Sequence, residues 1–154
     1  MKTLEKSNLK NDVLVDGLNG FLADLQIFYQ NLRGLHWNVK GSMFFVLHAK
    51  FEEYYNETSE LIDEVAERIL MIGGEPVHAF SDYLKVAGLP EVKQVSDGRK
   101  AVGVVITQSE WLLAKMKNLQ AVAANQNDEA TNALFSDAIS ETEKRMWMLR
   151  TFLS

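Results

Sequence analysis

Both prolines of this chain, Pro76 and Pro90, fall in one stretch, residues 73–95, and on either side of it apolar residues recur with helical spacing. Proline inside a helix removes a hydrogen bond and clashes with the preceding turn, so this stretch is where continuous helix must stop. Before it, Leu14, Leu18, Phe21, Leu22, Leu25, Phe28, Tyr29, Leu32 and Leu35 keep a period of about 3.6 residues from about Asp12 to Trp37. A polar break containing Gly41 turns the chain, and a second periodic segment runs from Phe44 to Ile72, where Gly73 and Gly74 stop it. After the proline stretch, Ser96 or Asp97 is placed to cap a third helix reaching about Ala124 through Val102, Val105, Ile106, Ser109, Leu112, Leu113 and Met116. Asn127 or Asp128 is placed to cap a fourth, ending near Leu153.

The connections are therefore short, long and short. Short ones make antiparallel neighbours, and residues 73–95 are long enough to cross a bundle while holding one short helix around Ala79 to Val86. The expected fold is all-α: a single domain over residues 1–154, preceded by a polar tail at 1–11, forming a ferritin-like four-helix bundle with a long crossover between its second and third helices. Topology of this kind does not by itself establish a chemistry.

Composition narrows the chemistry. The chain has no cysteine, which removes disulfides, thiol nucleophiles and thiolate metal sites, so any metal must be held by histidine and carboxylate. No apolar run approaches the ~20 residues of a membrane span, and the N-terminus lacks the apolar core of a secretion signal, which points to a cytoplasmic protein away from membranes. A formal net charge of −5 repels nucleic acid and draws in cations.

The second helix carries three faces. Leu47, Phe51, Tyr54, Tyr55, Leu61, Ile62, Val65 and Ile69 form its apolar stripe; His48, Glu52, Asp63 and Glu67 share a second face; Glu53, Glu57, Glu60 and Glu64 share a third. His48 and Glu52 stand one turn apart, as do Asp63 and Glu67, so each pair can address one ion. Glu52 and Asp63, however, are eleven residues apart, or roughly 16 Å along a helix, whereas a ligand bond spans about 2 Å. One chain cannot close that site. A two-fold axis crossing the helix between the pairs can, because it sets His48 and Glu52 of one subunit opposite Asp63 and Glu67 of its mate. His36, at the end of the first helix, falls beside His48 as a third ligand. Two imidazoles with three carboxylates suit iron, manganese or zinc, and ligand type alone does not choose among them.

Taken singly, each of these residues has an ordinary reading: a histidine near a helix end is usually a packed, hydrogen-bonded residue, and acids on an outer face are usually solvated. Only the constellation carries the metal reading. Glu75 and His78 have a Glu-x-x-His spacing but enclose a proline and have no second copy, so their spacing is read as chance and His78 as structural.

The stretch HWNVKGSMFFVLHAKFEEYYNETSELIDEVAERI, residues 36–69, resembles the signature of the Dps family, the DNA-binding proteins from starved cells. The resemblance rests on His36-Trp37, Gly41, Phe45, Leu47-His48, Phe51, Tyr54, the run from Asp63 to Arg68 and the Gly73-Gly74 stop, and the helical pattern extends it over nearly the whole chain. It implies a homo-oligomeric shell of twelve subunits, a dodecamer. Each two-fold would carry ferroxidase sites for up to two iron ions, built by His36, His48 and Glu52 from one subunit and Asp63 and Glu67 from the other. It also implies oxidation of Fe(II) by hydrogen peroxide or dioxygen, protection against oxidative damage, and storage of ferric mineral inside. In this picture Glu53, Glu57, Glu60 and Glu64 line the cavity and start the mineral. Asp128, Glu129 and Asp137 line a pore, with service at the positive end of the fourth helix as the alternative. The family usually has aspartate where Glu52 stands. Trp37 and Trp147 resemble tryptophans near the family's site, with core packing the expected role of Trp147. The alternative function is a structural protein that coats DNA. Here only Lys2, Lys6 and Lys10 make a basic tail, so binding to DNA is expected to be weak or absent and lost as salt rises.

Overall fold

The computed structural model describes residues 2–154, with side chains from Asp12 onward. These residues form five helices: α1 (Lys2–Asn38), α2 (Phe44–Met71), α3 (Phe80–Val86), α4 (Gly98–Asn125) and α5 (Glu129–Leu153). The result is a four-helix bundle with the short α3 in its crossover, as the connection lengths imply. α1 begins well before the expected start near Asp12 and takes in residues 2–11, read above as a tail. That segment holds neither proline nor glycine, and its lysines, leucines and glutamate propagate a helix readily. The apolar stripe marks where α1 becomes buried, not where it begins. The side chains of Lys2, Lys6 and Lys10 lie outside the described ones.

The helix ends follow local chemistry. Gly73 takes φ +91°, and the Gly74 N–H reaches back to Ile69 O while the Gly73 N–H reaches Leu70 O, which closes α2 in a Schellman turn. The same motif ends α4 with Asn127 at φ 58°, and the next residue, Asp128, caps α5 by accepting from the Thr131 N–H at 3.0 Å. The two residues expected as alternative caps therefore share the turn, one ending a helix and one starting the next. Asp97 caps α4 through the Lys100 N–H.

The core is the stripe read from the sequence. Leu14, Leu18, Phe21, Leu22, Leu25, Phe28 and Leu32 of α1 are fully buried with Phe51, Val65 and Ile69 of α2 and Val102, Val105 and Leu112 of α4. Phe21 meets Phe135 of α5 edge-on at 5.5 Å across the bundle. Each such side chain contributes about 1.5–3 kcal/mol on burial.

Of the crossover's apolar residues Leu89 is buried and Val92 and Val95 are partly so, while Phe80, Leu84 and Val86 are exposed, and the segment is held by polar groups on its neighbours. Asn31 donates to Pro90 O and accepts from the Val92 N–H, while Gln108 of α4 also donates to Pro90 O. Asn19 takes the Val77 N–H and donates to Glu75 O. Asp24, with no exposed surface, accepts from the Gly88 and Leu89 N–H groups at 2.7 and 3.0 Å and pairs with Lys115 at 3.2 Å. Buried N–H groups of an irregular segment must find partners, and these side chains supply them. Among the described residues, no helix is long and apolar enough to cross a membrane.

Candidate metal site on the second helix

His36 lies in the last turn of α1, 7% exposed, and His48 in the second turn of α2, half-buried. Antiparallel packing of the two helices stacks their rings, with centroids 3.8 Å apart and planes within 11°. The stack is held by a reciprocal pair of bonds: the His36 Nδ1–H donates to His48 O at 2.6 Å, and the His48 Nδ1–H donates to His36 O at 2.8 Å. A carbonyl oxygen can only accept, so both Nδ1 atoms must carry the proton. In the neutral ring each Nε2 is then a bare lone pair, and neither has a hydrogen-bond partner among the described residues. Metal-binding histidines are commonly oriented in this way, with a carbonyl fixing the tautomer from the far side of the ring. Phe44 continues the stack beyond His48 at 4.9 Å.

Glu52 is exposed one turn further along α2, and its Oε1 accepts from the Tyr55 hydroxyl at 3.2 Å. Tyr55 stands edge-on to His36 at 5.4 Å. Desolvation raises its phenol above the ordinary value and the bond to Glu52 raises it further, so the hydroxyl keeps its proton at neutral pH. Asp63 and Glu67 are exposed on the same helix and make no hydrogen bond or ion pair among the described residues. Nowhere among those residues do three histidine or carboxylate side chains of one chain converge on a common point. The structure thus brings His36 and His48 together with Glu52 close by, and leaves Asp63 and Glu67 apart, as the eleven-residue gap requires.

Glu53, Glu57, Glu60 and Glu64 line a groove of about 600 Å³ between α2 and α5. Asp137, read above with the pore, faces the same groove, as does Glu141, which the sequence reading missed. The available signal was the spacing of Asp137, Glu141 and Arg145, one turn apart along α5. Arg145 is sandwiched near the rings of Phe28 and Tyr54, at 5.5 and 5.4 Å. Burial pulls its guanidinium below the ordinary value, against the support of Glu57, Tyr54 and Glu141. Desolvation raises the Glu57 carboxyl, opposed by Arg145 and reinforced by Glu53 and Glu141. The Tyr54 phenol is pushed up to about 12 by burial first, with Arg145 acting against it and Glu53 and Glu57 adding to it.

The ferritin-like domain family matches residues 15–154. The DNA protection during starvation protein of Porphyromonas gingivalis is 42% identical over 154 residues, covering 98% of this chain and 97% of its own. A Dps protein of Vibrio cholerae O1, described as a member of a broad superfamily of ferritin-like diiron-carboxylate proteins, superposes with a TM-score of 0.93 at 43% identity, covering 95% of this chain and 92% of its own. The chain belongs to the Dps family.

Other sequence candidates of this Dps chain sit in varied surroundings. Asp128 is committed to the α5 cap, to the Thr131 hydroxyl at 2.6 Å and to Arg68 at 3.1 Å. Burial works to raise its carboxyl, but the Thr131 hydroxyl and N–H and the Arg68 guanidinium together hold it below the ordinary value. Glu129 is exposed in the first turn of α5. His78 is exposed and, among the described residues, bonds only Pro76 O. Trp37 is 55% exposed with the Arg33 guanidinium over its ring at 4.8 Å. Trp147 departs from the expected core role: it is 62% exposed, because α5 buries Thr142, Met146 and Leu149 and residue 147 falls roughly 130° from the middle of that face.

Proposed function

We propose that this Dps-family chain oxidises ferrous iron at sites shared by two subunits and stores the ferric product inside a closed homo-oligomeric shell of twelve copies in the cytoplasm. The observation that carries the reading is the paired imidazole arrangement, in which both Nδ1 atoms are tied to backbone carbonyls and both Nε2 atoms are left as unpaired donors. Beside it stands Glu52; eleven and fifteen residues along the same helix stand Asp63 and Glu67, which make no hydrogen bond or ion pair among the described residues. A two-fold axis between these groups completes an N- and O-ligand set for up to two ions, and iron is the substrate. Two Fe(II) ions each give one electron to one hydrogen peroxide, which takes up two protons and leaves as two waters, so no radical is released; dioxygen is the alternative acceptor. The acids of the α2–α5 groove would then gather Fe(III) and start the mineral. A role in coating DNA enters as the second reading, from the name of the Porphyromonas relative. The net charge of −5 and the few N-terminal lysines limit it to weak, salt-sensitive binding.

The sharing of the site is tested by complementation. Purified shells are loaded anaerobically with Fe(II), peroxide is added and ferric absorbance is followed for the wild type, for His48→Ala and for Asp63→Ala. A fourth preparation co-expresses the two variants. Each variant alone should be slow while assembling normally. In a mixed pair, one of the two sites recovers both His48 and Asp63, so random mixing restores about a quarter of wild-type sites. A site contained in one chain would show no rescue, and variants as fast as wild type would overturn the ferroxidase reading altogether.

A further inference from the structure

We infer that Tyr55 is a positioning residue that fixes how Glu52 meets the metal, and that this arrangement needs the length of a glutamate. The inference rests on the site reading above and deepens it. Tyr55 lies one turn beyond Glu52 on α2, and its hydroxyl donates to Oε1 at 3.2 Å, the single hydrogen bond that Glu52 makes among the described residues. The ring giving that bond is itself held in place. It stands edge-on to His36 at 5.4 Å and 81°, and to Tyr29 at 5.8 Å and 89°, and it is half-buried. Swinging the hydroxyl away would give up both ring contacts. His36 is in turn fixed to the backbone of His48. Tyr55 is thus the side chain that ties the carboxylate of Glu52 to the pair of imidazoles.

Two consequences follow. With Oε1 engaged, Glu52 offers the metal chiefly its free Oε2 and so binds through one oxygen rather than chelating through both. The clamp is also length-matched: an aspartate would draw the carboxylate back by about 1.5 Å, one carbon–carbon bond, and open the 3.2 Å contact well past hydrogen-bonding range. Groups that orient a metal ligand from behind typically change metal affinity or activity ~10–100-fold when removed.

The experiment is a double-variant cycle on assembled shells with Co(II) as a redox-inert probe. It uses wild type, Tyr55→Phe, Glu52→Asp, the double variant and His48→Ala. Affinity is read by titration and ligand geometry by the visible Co(II) spectrum. Tyr55→Phe removes only the hydroxyl and keeps the ring packed, so shells should assemble normally, bind Co(II) about 10-fold more weakly and show an altered spectrum. In the Glu52→Asp background the same substitution should change neither affinity nor spectrum, because there is no bond left to remove. A wild-type affinity and spectrum in Tyr55→Phe would overturn the inference, as would an equal loss in both backgrounds, which marks a packing effect. If His48→Ala loses Co(II) while Tyr55→Phe does not, only the clamp fails; if His48→Ala also binds as wild type, the site itself is misread.

Discussion

Removing the carboxylate of Asp24 should loosen the crossover and cost the fold about 2–4 kcal/mol. The magnitude comes from three of its four contacts. The Leu89 N–H, 3.0 Å from Oδ1, belongs to a residue 5% exposed, so losing its acceptor incurs most of the desolvation penalty of an orphaned donor, about 1–3 kcal/mol. The Gly88 N–H at 2.7 Å belongs to an exposed residue and can turn to water, which adds a fraction of that. Lys115 is about a third exposed and resolvates, so its 3.2 Å ion pair adds roughly 0.5–1 kcal/mol. The 3.4 Å contact from Trp111 Nε1 is too long to count. Against the ~5–15 kcal/mol by which domains are stable, the sum is a large share. Asp24→Ala should lower the urea midpoint by about 1–2 M for an m-value near 2 kcal/mol/M. The variants must be compared at one protein concentration, since assembly adds its own stabilisation. Hydrogen exchange gives an independent reading: amides of residues 87–95 should lose protection while those of α2 keep theirs. A change within about 0.5 kcal/mol, with the crossover as protected as in the wild type, would refute the assignment of Asp24 as its anchor.

Two further outcomes are expected. Asp128→Ala removes an α5 cap and a partly buried ion pair with Arg68, for about 1–2 kcal/mol at neutral pH. Because the folded carboxyl titrates below its unfolded value, its contribution is complete above about pH 4 and disappears as pH falls through the folded value. Urea midpoints of wild type and variant should therefore converge as pH falls, and a gap that does not narrow in acid contradicts this account. Arg145 should prove to be a packing residue first: its Nε is buried without a hydrogen bond, so Arg145→Met should cost less than about 1 kcal/mol, whereas Arg145→Ala, which empties the space between Phe28 and Tyr54, should cost about 2–3. Equal losses in the two thermal denaturation curves would assign the effect to charge instead.

Most of the fold was legible because its signals are local. The apolar period placed four helices, prolines and glycines placed their connections, and the acids Asp97 and Asp128 capped α4 and α5. The apolar stripe begins near Asp12 whereas α1 begins at Lys2, because a helix can run on beyond the face it buries. The crossover was harder. It is fastened by Asn19, Asp24, Asn31 and Gln108, and each of these polar residues is ordinary in sequence until the segment it binds is laid across it. Trp147, expected in the core, is exposed because the period of α5 turns it off the buried face.

The candidate site was legible to the same extent and for the same reason. Spacings of four residues on one helix found His48 with Glu52 and Asp63 with Glu67, but no spacing reveals that two imidazoles on different helices trade hydrogen bonds with each other's backbone. Tyr55 was counted with the apolar stripe because its ring does belong there, and only its hydroxyl leaves that face. These hidden contacts make α2 unequal along its length. At one end the candidate ligands are oriented inside a single chain by carbonyls, stacking and a tyrosine; at the other, Asp63 and Glu67 are exposed. On the proposed reading, a lone subunit holds an organised but incomplete half-site, too poor in ligands to retain iron, and the mate supplies the missing charge. Binding iron and closing the two-fold contact then favour each other by the same free energy, so Fe(II) or Co(II) should stabilise the dimeric contact as strongly as that contact raises metal affinity.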